Sequence, residues 1–148
     1  MIISLIRGIT IGLFLLIQGV IDKRYKKISQ ELCIVITIFG IILLFVENQK
    51  ISENIIFLGM AVIPGVLLCL ISWITNGSIG IGDGYVVITM GVYIGGMNTF
   101  IIIMMAFAMV AFLGMLVMII KNKRRDMEIA FVPFIFLGYI LESVMTWF

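Results

Sequence analysis

Residues 85–120 read YVVITMGVYIGGMNTFIIIMMAFAMVAFLGMLVMII, 36 residues without one charge. A helix crosses the hydrocarbon core of a bilayer with about 20 mainly apolar residues. This run is too long for one span, and Gly95-Gly96-Met97-Asn98 punctuates it. The spacing predicts a short fourth helix before the break and a fifth helix over 99–120.

The composition of the whole chain agrees with that solvent. Of 148 residues, 63% are hydrophobic and 12% charged, and the mean hydropathy is +1.28. An average soluble domain is about 45–50% apolar and about 25% charged. Too few charges remain to coat a water-facing surface, which argues against a soluble globular domain, a disordered chain and a coiled coil. The absence of His excludes Ser-His-Asp and Cys-His sites and most zinc sites. Cys33 and Cys69 lie in apolar runs, with no C-x-x-C pair, and read as packing residues. A net charge of +2 gives no reason to expect a nucleic-acid partner.

Working outward, the other runs supply four more helices. Residues 1–21 form the first, broken only by Ser4, Arg7, Thr10 and Gln18. A secretory signal fits poorly, because the only early basic residue lies inside the run and no small-residue cleavage site follows. The second run, 28–46, opens with Ser29 as an N-cap and Glu31 in the first turn. The third, 55–75, carries Pro64-Gly65, where a kink is expected. The sixth covers 129–148. The expectation is an all-α membrane protein of about six transmembrane helices, one domain over 1–148, with a glycine-rich loop at the start of helix four.

Lys and Arg set orientation. Of ten, four stand at Lys23, Arg24, Lys26 and Lys27, and four at Lys121, Lys123, Arg124 and Arg125. Four crossings separate the clusters, so both face the cytoplasm, and the glycine-rich segment two crossings after the first cluster faces it too. Five helices would put the clusters on opposite sides. The clusters read chiefly as topogenic, with anionic-lipid binding as the sharper alternative.

Two of the eight acidic residues therefore share one membrane face. Asp22 closes helix one and Asp83 stands in Asn76-Gly77-Ser78-Ile79-Gly80-Ile81-Gly82-Asp83-Gly84. Two carboxyls that converge at one depth can share a proton. One then serves as base toward water and the other as acid toward a carbonyl. Each also has a plainer reading: Asp22 as a helix cap or a surface pair with Lys23 and Lys26, Asp83 as an Asp-Gly turn. A phosphate cradle fits poorly, because no strand precedes the glycines.

Gly80-Ile81-Gly82-Asp83 before an apolar helix resembles the G-x-G-D motif of polytopic membrane aspartic proteases, and within them the chain is similar to the type IV prepilin peptidases. The family's first aspartate stands in a pattern like D-x-x-x-x-x-I-P-N. Here Asp22-Lys23-Arg24-Tyr25-Lys26-Lys27-Ile28-Ser29-Gln30 keeps the spacing to Ile28. Gly91 and Gly95 fit the glycine-bearing helix after the second motif. Phe131-Val132-Pro133-Phe134 with Gly138 echoes a late P-F-x-P-F-like stretch. Ser29-Gln30 stands where the family usually has Pro-Asn, and Tyr85 where it usually has Lys.

The resemblance implies catalytic Asp22 and Asp83, supported by Gly80, Gly82 and Gly84, with neither metal nor cofactor. It implies prepilin-like substrates in the lipid bilayer: a basic leader ending in Gly, then an apolar helix, cut on the cytoplasmic side of the cell membrane. It further implies a minimal, cleavage-only form without a methylation-associated segment. A glycine-rich segment over 77–84 would move to admit the unwound substrate. The rival reading is a non-enzymatic subunit of a transporter or assembly machine, its aspartates binding an ion or proton. A metal-assisted hydrolase is weaker, since two carboxylates make a poor cage. Gly8-x-x-x-Gly12 and Gly91-x-x-x-Gly95 are expected to pack helices within one chain. The methionines of helix five read as soft filler or a pliable groove rather than a copper site. Glu142 is expected near the outer interface.

Overall fold

The computed structural model describes residues 2–47, 50–75, 80–121 and 130–147. Among them lie six helices: α1 (Ile2–Tyr25), α2 (Gln30–Glu47), α3 (Ile51–Ile74), α4 (Ile81–Ile94), α5 (Gly96–Lys121) and α6 (Val132–Trp147). In lipid every backbone polar group must find a partner within the protein, and a helix does this within one segment. Helices α1, α2, α3 and residues 96–117 of α5 are long and apolar enough to cross a membrane, while α4 and α6 are shorter apolar helices. The six expected helices are therefore present. The second basic cluster lies outside the described residues apart from the backbone of Lys121.

Burial is inverted relative to a soluble protein. Leu13, Ile34, Ile55 and Phe112 are exposed, whereas Gln18, Asn54, Ser72, Thr89 and Thr99 are buried. Apolar side chains meet hydrocarbon, and polar ones turn inward.

Helix α4 is the axis of the fold. Val86, Val87 and Met90 are completely buried. It packs most closely on α3, because small residues face each other there. A Cβ on Gly84 would lie 3.1 Å from the carbonyl oxygen of Gly65, and one on Gly91 would strike the carbonyl of Ala61. Without a hydrophobic drive between helices, such close approach is what holds them together. Pro64 lies buried inside α3, which continues to Ile74. A proline cannot bond the carbonyl four residues back. That carbonyl, of Met60, faces Gly96 on α5, where a Cβ would collide with it.

The two short helices are closed by α1. Arg7 donates to the carbonyls of Val92 (3.2 Å) and Tyr93 (2.6 Å) in the last turn of α4, and pairs with Glu47 of α2 at 2.6 Å. A cation there satisfies carbonyls that have no helical partner and complements the negative end of the helix dipole. Gly95 then ends α4 with φ +87°, a left-handed backbone that glycine adopts without a Cβ penalty. Gly8 and Gly12 both face Tyr139 of α6, whose hydroxyl donates to the Gly8 carbonyl at 2.9 Å. This glycine pair packs helices within the chain.

Candidate active site

Helix α1 stops just beyond Asp22 because Lys26 takes a left-handed conformation (φ 50°), its N–H bonding the Asp22 carbonyl at 2.8 Å. The chain turns there and feeds Ile28 back against α4. A Cβ on Gly82 would lie 2.9 Å from the Cβ of Ile28, so only glycine lets the two segments approach this closely. The spacing from Asp22 to Ile28 thus has a physical meaning: it lays the loop after the first aspartate onto the glycine before the second.

Asp22 is buried, with 8% of its surface exposed. Its Oδ2 accepts the backbone N–H of Val132 at 3.1 Å, and the Phe131 N–H adds a second bond. These are orphan donors at the start of α6, where the helix dipole favours an anion. Lys26 is close enough for its charge to act on the carboxyl. The expected capping role is therefore real, but the helix capped is α6 and not its own.

Asp83 is also 8% exposed. Gly80 is the N-cap of α4, so Asp83 stands three residues in, within the first turn. Its N–H bonds the Gly80 carbonyl at 3.0 Å, and its carboxyl turns back to accept the Gly80 N–H. This is the reach-back half of a capping box. The helix takes in Gly82 and Gly84, and Gly84 is held there by α3, where a Cβ would meet Cys69 and Gly65. Residues 76–79 of the glycine-rich segment lie outside the described residues.

The fold brings Asp22 and Asp83 together. Sixty-one residues apart in sequence, they are near enough for the charge of Asp22 to act on Asp83. Among the described residues no group of three His, Cys, Asp or Glu converges in a metal-holding arrangement.

Two contributors were not singled out as site residues in the sequence. Gln18, fully buried one turn before Asp22, donates to the Ser29 carbonyl at 2.9 Å and accepts the Ser29 N–H at 3.3 Å. It pins the loop that carries Ile28. Its signal was a lone amide four residues before an aspartate in an apolar helix. The second is the Phe131–Val132 backbone, which the sequence marks only as part of the Phe131-Val132-Pro133-Phe134 stretch, with no sign of its contact to Asp22.

A family model described as the type IV leader peptidase family matches residues 9–120, which include both aspartates and end before α6. No curated protein and no solved structure matches the chain.

Proposed function

The chain belongs to the type IV leader peptidase family, and on that premise we propose that it is an aspartic endopeptidase that removes the basic leader of prepilin-like or pseudopilin-like membrane proteins. The observation that carries this reading is the convergence of two buried aspartates, Asp22 and Asp83, at one end of the helix bundle. Two carboxyls so placed resist double ionisation and hold one proton between them.

The chemistry follows from that proton. The ionised aspartate takes a proton from a water as its oxygen attacks the scissile carbonyl carbon. The other gives its proton to the carbonyl oxygen. Collapse of the resulting diol breaks the C–N bond, and the departing nitrogen leaves as an amine with a proton returned by the pair. Gly80, Gly82 and Gly84 support the site by setting the depth and approach of Asp83. The exposed Lys23, Arg24, Lys26 and Lys27 stand at the same end as Asp22. By the positive-inside rule this end faces the cytoplasm, so the leader is cut at the cytoplasmic face of the cell membrane.

The test is co-expression with a substrate carrying a Gly-terminated basic leader, read as a size shift. Asp22→Asn and Asp83→Asn should each abolish the shift while the protein still inserts. Full cleavage by either variant would overturn the dyad.

A further inference from the structure

Helix α4 is enclosed on most sides. Gly84, Val86, Val87, Thr89, Met90 and Gly91 are buried, whereas Ile81 and Tyr85 are exposed. Among the described residues, the flank through Tyr85 and Ile88 is where α4 opens to the membrane. It borders a cavity of about 320 Å³ between α2 and α4. On the α2 side, Gln30, Ile34 and Ile38 form one wall at four-residue spacing, with Tyr85 and Ile88 opposite. The smaller Cys33, Thr37 and Thr89 lie between them. From Gln30 to Ile38 the groove runs about 12 Å down the helix, starting beside Tyr85, two residues from Asp83.

We propose that this groove seats the first two turns of the substrate's apolar helix, directly after the bond that is cut. The proposal rests on the peptidase reading. If the scissile bond lies at Asp83, the chain that follows must descend past the open flank of α4, and that flank is the groove wall. The floor suits a helix. Small side chains let another backbone approach closely, which is the main source of helix association in lipid. The hydroxyl donors of the floor are also used within the protein. Thr37 and Thr89 lie 2.9 Å apart through their hydroxyl oxygens, and these bond to the carbonyls of Cys33 (2.7 Å) and Tyr85 (2.9 Å). A floor that spends its donors internally selects by shape and tolerates apolar helices of varied sequence. Tyr85 lines the mouth of this groove with an uncharged side chain.

The experiment places a photo-crosslinking amino acid at Ile38 in the groove, or at Ile55, a comparably exposed position on α3, in the full chain with a membrane-inserted substrate. The expected result is a crosslink to the substrate's apolar helix from position 38 and none from 55. Thr37→Trp, which fills the floor, should lower kcat/KM at least tenfold, and Ile55→Trp, exposed on α3 away from the groove, should leave it unchanged. Cleavage without a crosslink from 38, equal crosslinks from both positions, adducts only with lipid or a second copy, or normal cleavage by Thr37→Trp would overturn the groove and leave the peptidase reading intact. Absence of cleavage by the unaltered chain would overturn both. If Thr37→Trp fails to fold, the crosslink decides.

Discussion

Asp22 accepts the backbone N–H of Val132 at 3.1 Å, across 110 residues of chain. Helix α1 therefore carries an ionisable side chain near each end, and each closes a different short helix. The Asp22 carboxyl satisfies the amino terminus of α6, and Arg7 satisfies the carboxyl terminus of α4. If Asp22 is catalytic, it is also structural, so Asp22→Asn is the informative substitution: it keeps one acceptor oxygen for the α6 amides and replaces the other with a neutral NH2 that cannot serve as acid or base.

Arg7 should be the more costly charge to lose. Arg7→Met leaves Glu47 and the Val92 and Tyr93 carbonyls without their donor. Hydrogen bonds to charged groups contribute about 1.5–3 kcal/mol each, and the loss in stability should be at least about 2 kcal/mol. Arg7→Lys should recover only part, because one ammonium cannot span a carboxylate and two carbonyls in a planar fork. Thermal unfolding in detergent measures both, and an Arg7→Met variant as stable as the parent would refute the cap.

Gln18→Leu should destabilise by about 1–3 kcal/mol, since it leaves the Ser29 N–H without its acceptor. Ser29→Pro removes that N–H. The penalty of Gln18→Leu should shrink in the Ser29→Pro background, giving a measurable coupling energy. Additive effects would mean that Gln18 does not hold the loop.

Gly84→Ala places a methyl against Cys69 and the Gly65 carbonyl, and overpacking of this kind costs about 1–3 kcal/mol. Cys69→Ala removes one of the two obstacles. The double variant should recover part of the stability, with the remaining deficit reporting the backbone contact. No loss in Gly84→Ala would show that α3 and α4 are less tightly seated than described.

The proposed dyad sets the form of the pH profile. Cleavage needs one aspartate ionised and one protonated. Activity should fall on the acid side as the base gains its proton, and on the alkaline side as the acid loses its own. Initial rates of leader cleavage across pH would show both limbs. A rate that stays flat through neutral and alkaline pH would remove the general acid from the mechanism.

Much of this was legible from sequence because the bilayer allows few solutions. The uncharged run 85–120 had to be divided, and Gly95, with its positive φ, is where it divides. The count of crossings placed Asp22 and Asp83 at one end, and the chain folds that way. What sequence could not show was which side chain closes which helix. Arg7 read as an interruption in an apolar run, because its partners lie on α2 and α4. Val132 gave no signal of its own, since its contribution is a backbone N–H that any residue but proline would offer. The Ile28–Gly82 contact is likewise set by chain direction after the left-handed Lys26, which no periodicity encodes.

Helix α4 has 14 residues, about 21 Å of rise, against a hydrocarbon core of about 30 Å. With its last turn held by Arg7, it cannot reach both surfaces of a full-thickness bilayer. Either the lipid thins around it or one of its ends lies below the headgroups. Acyl-chain length thereby becomes a variable of the site: lipids of shorter chain would bring Asp83 nearer bulk water, and thicker membranes would bury it deeper.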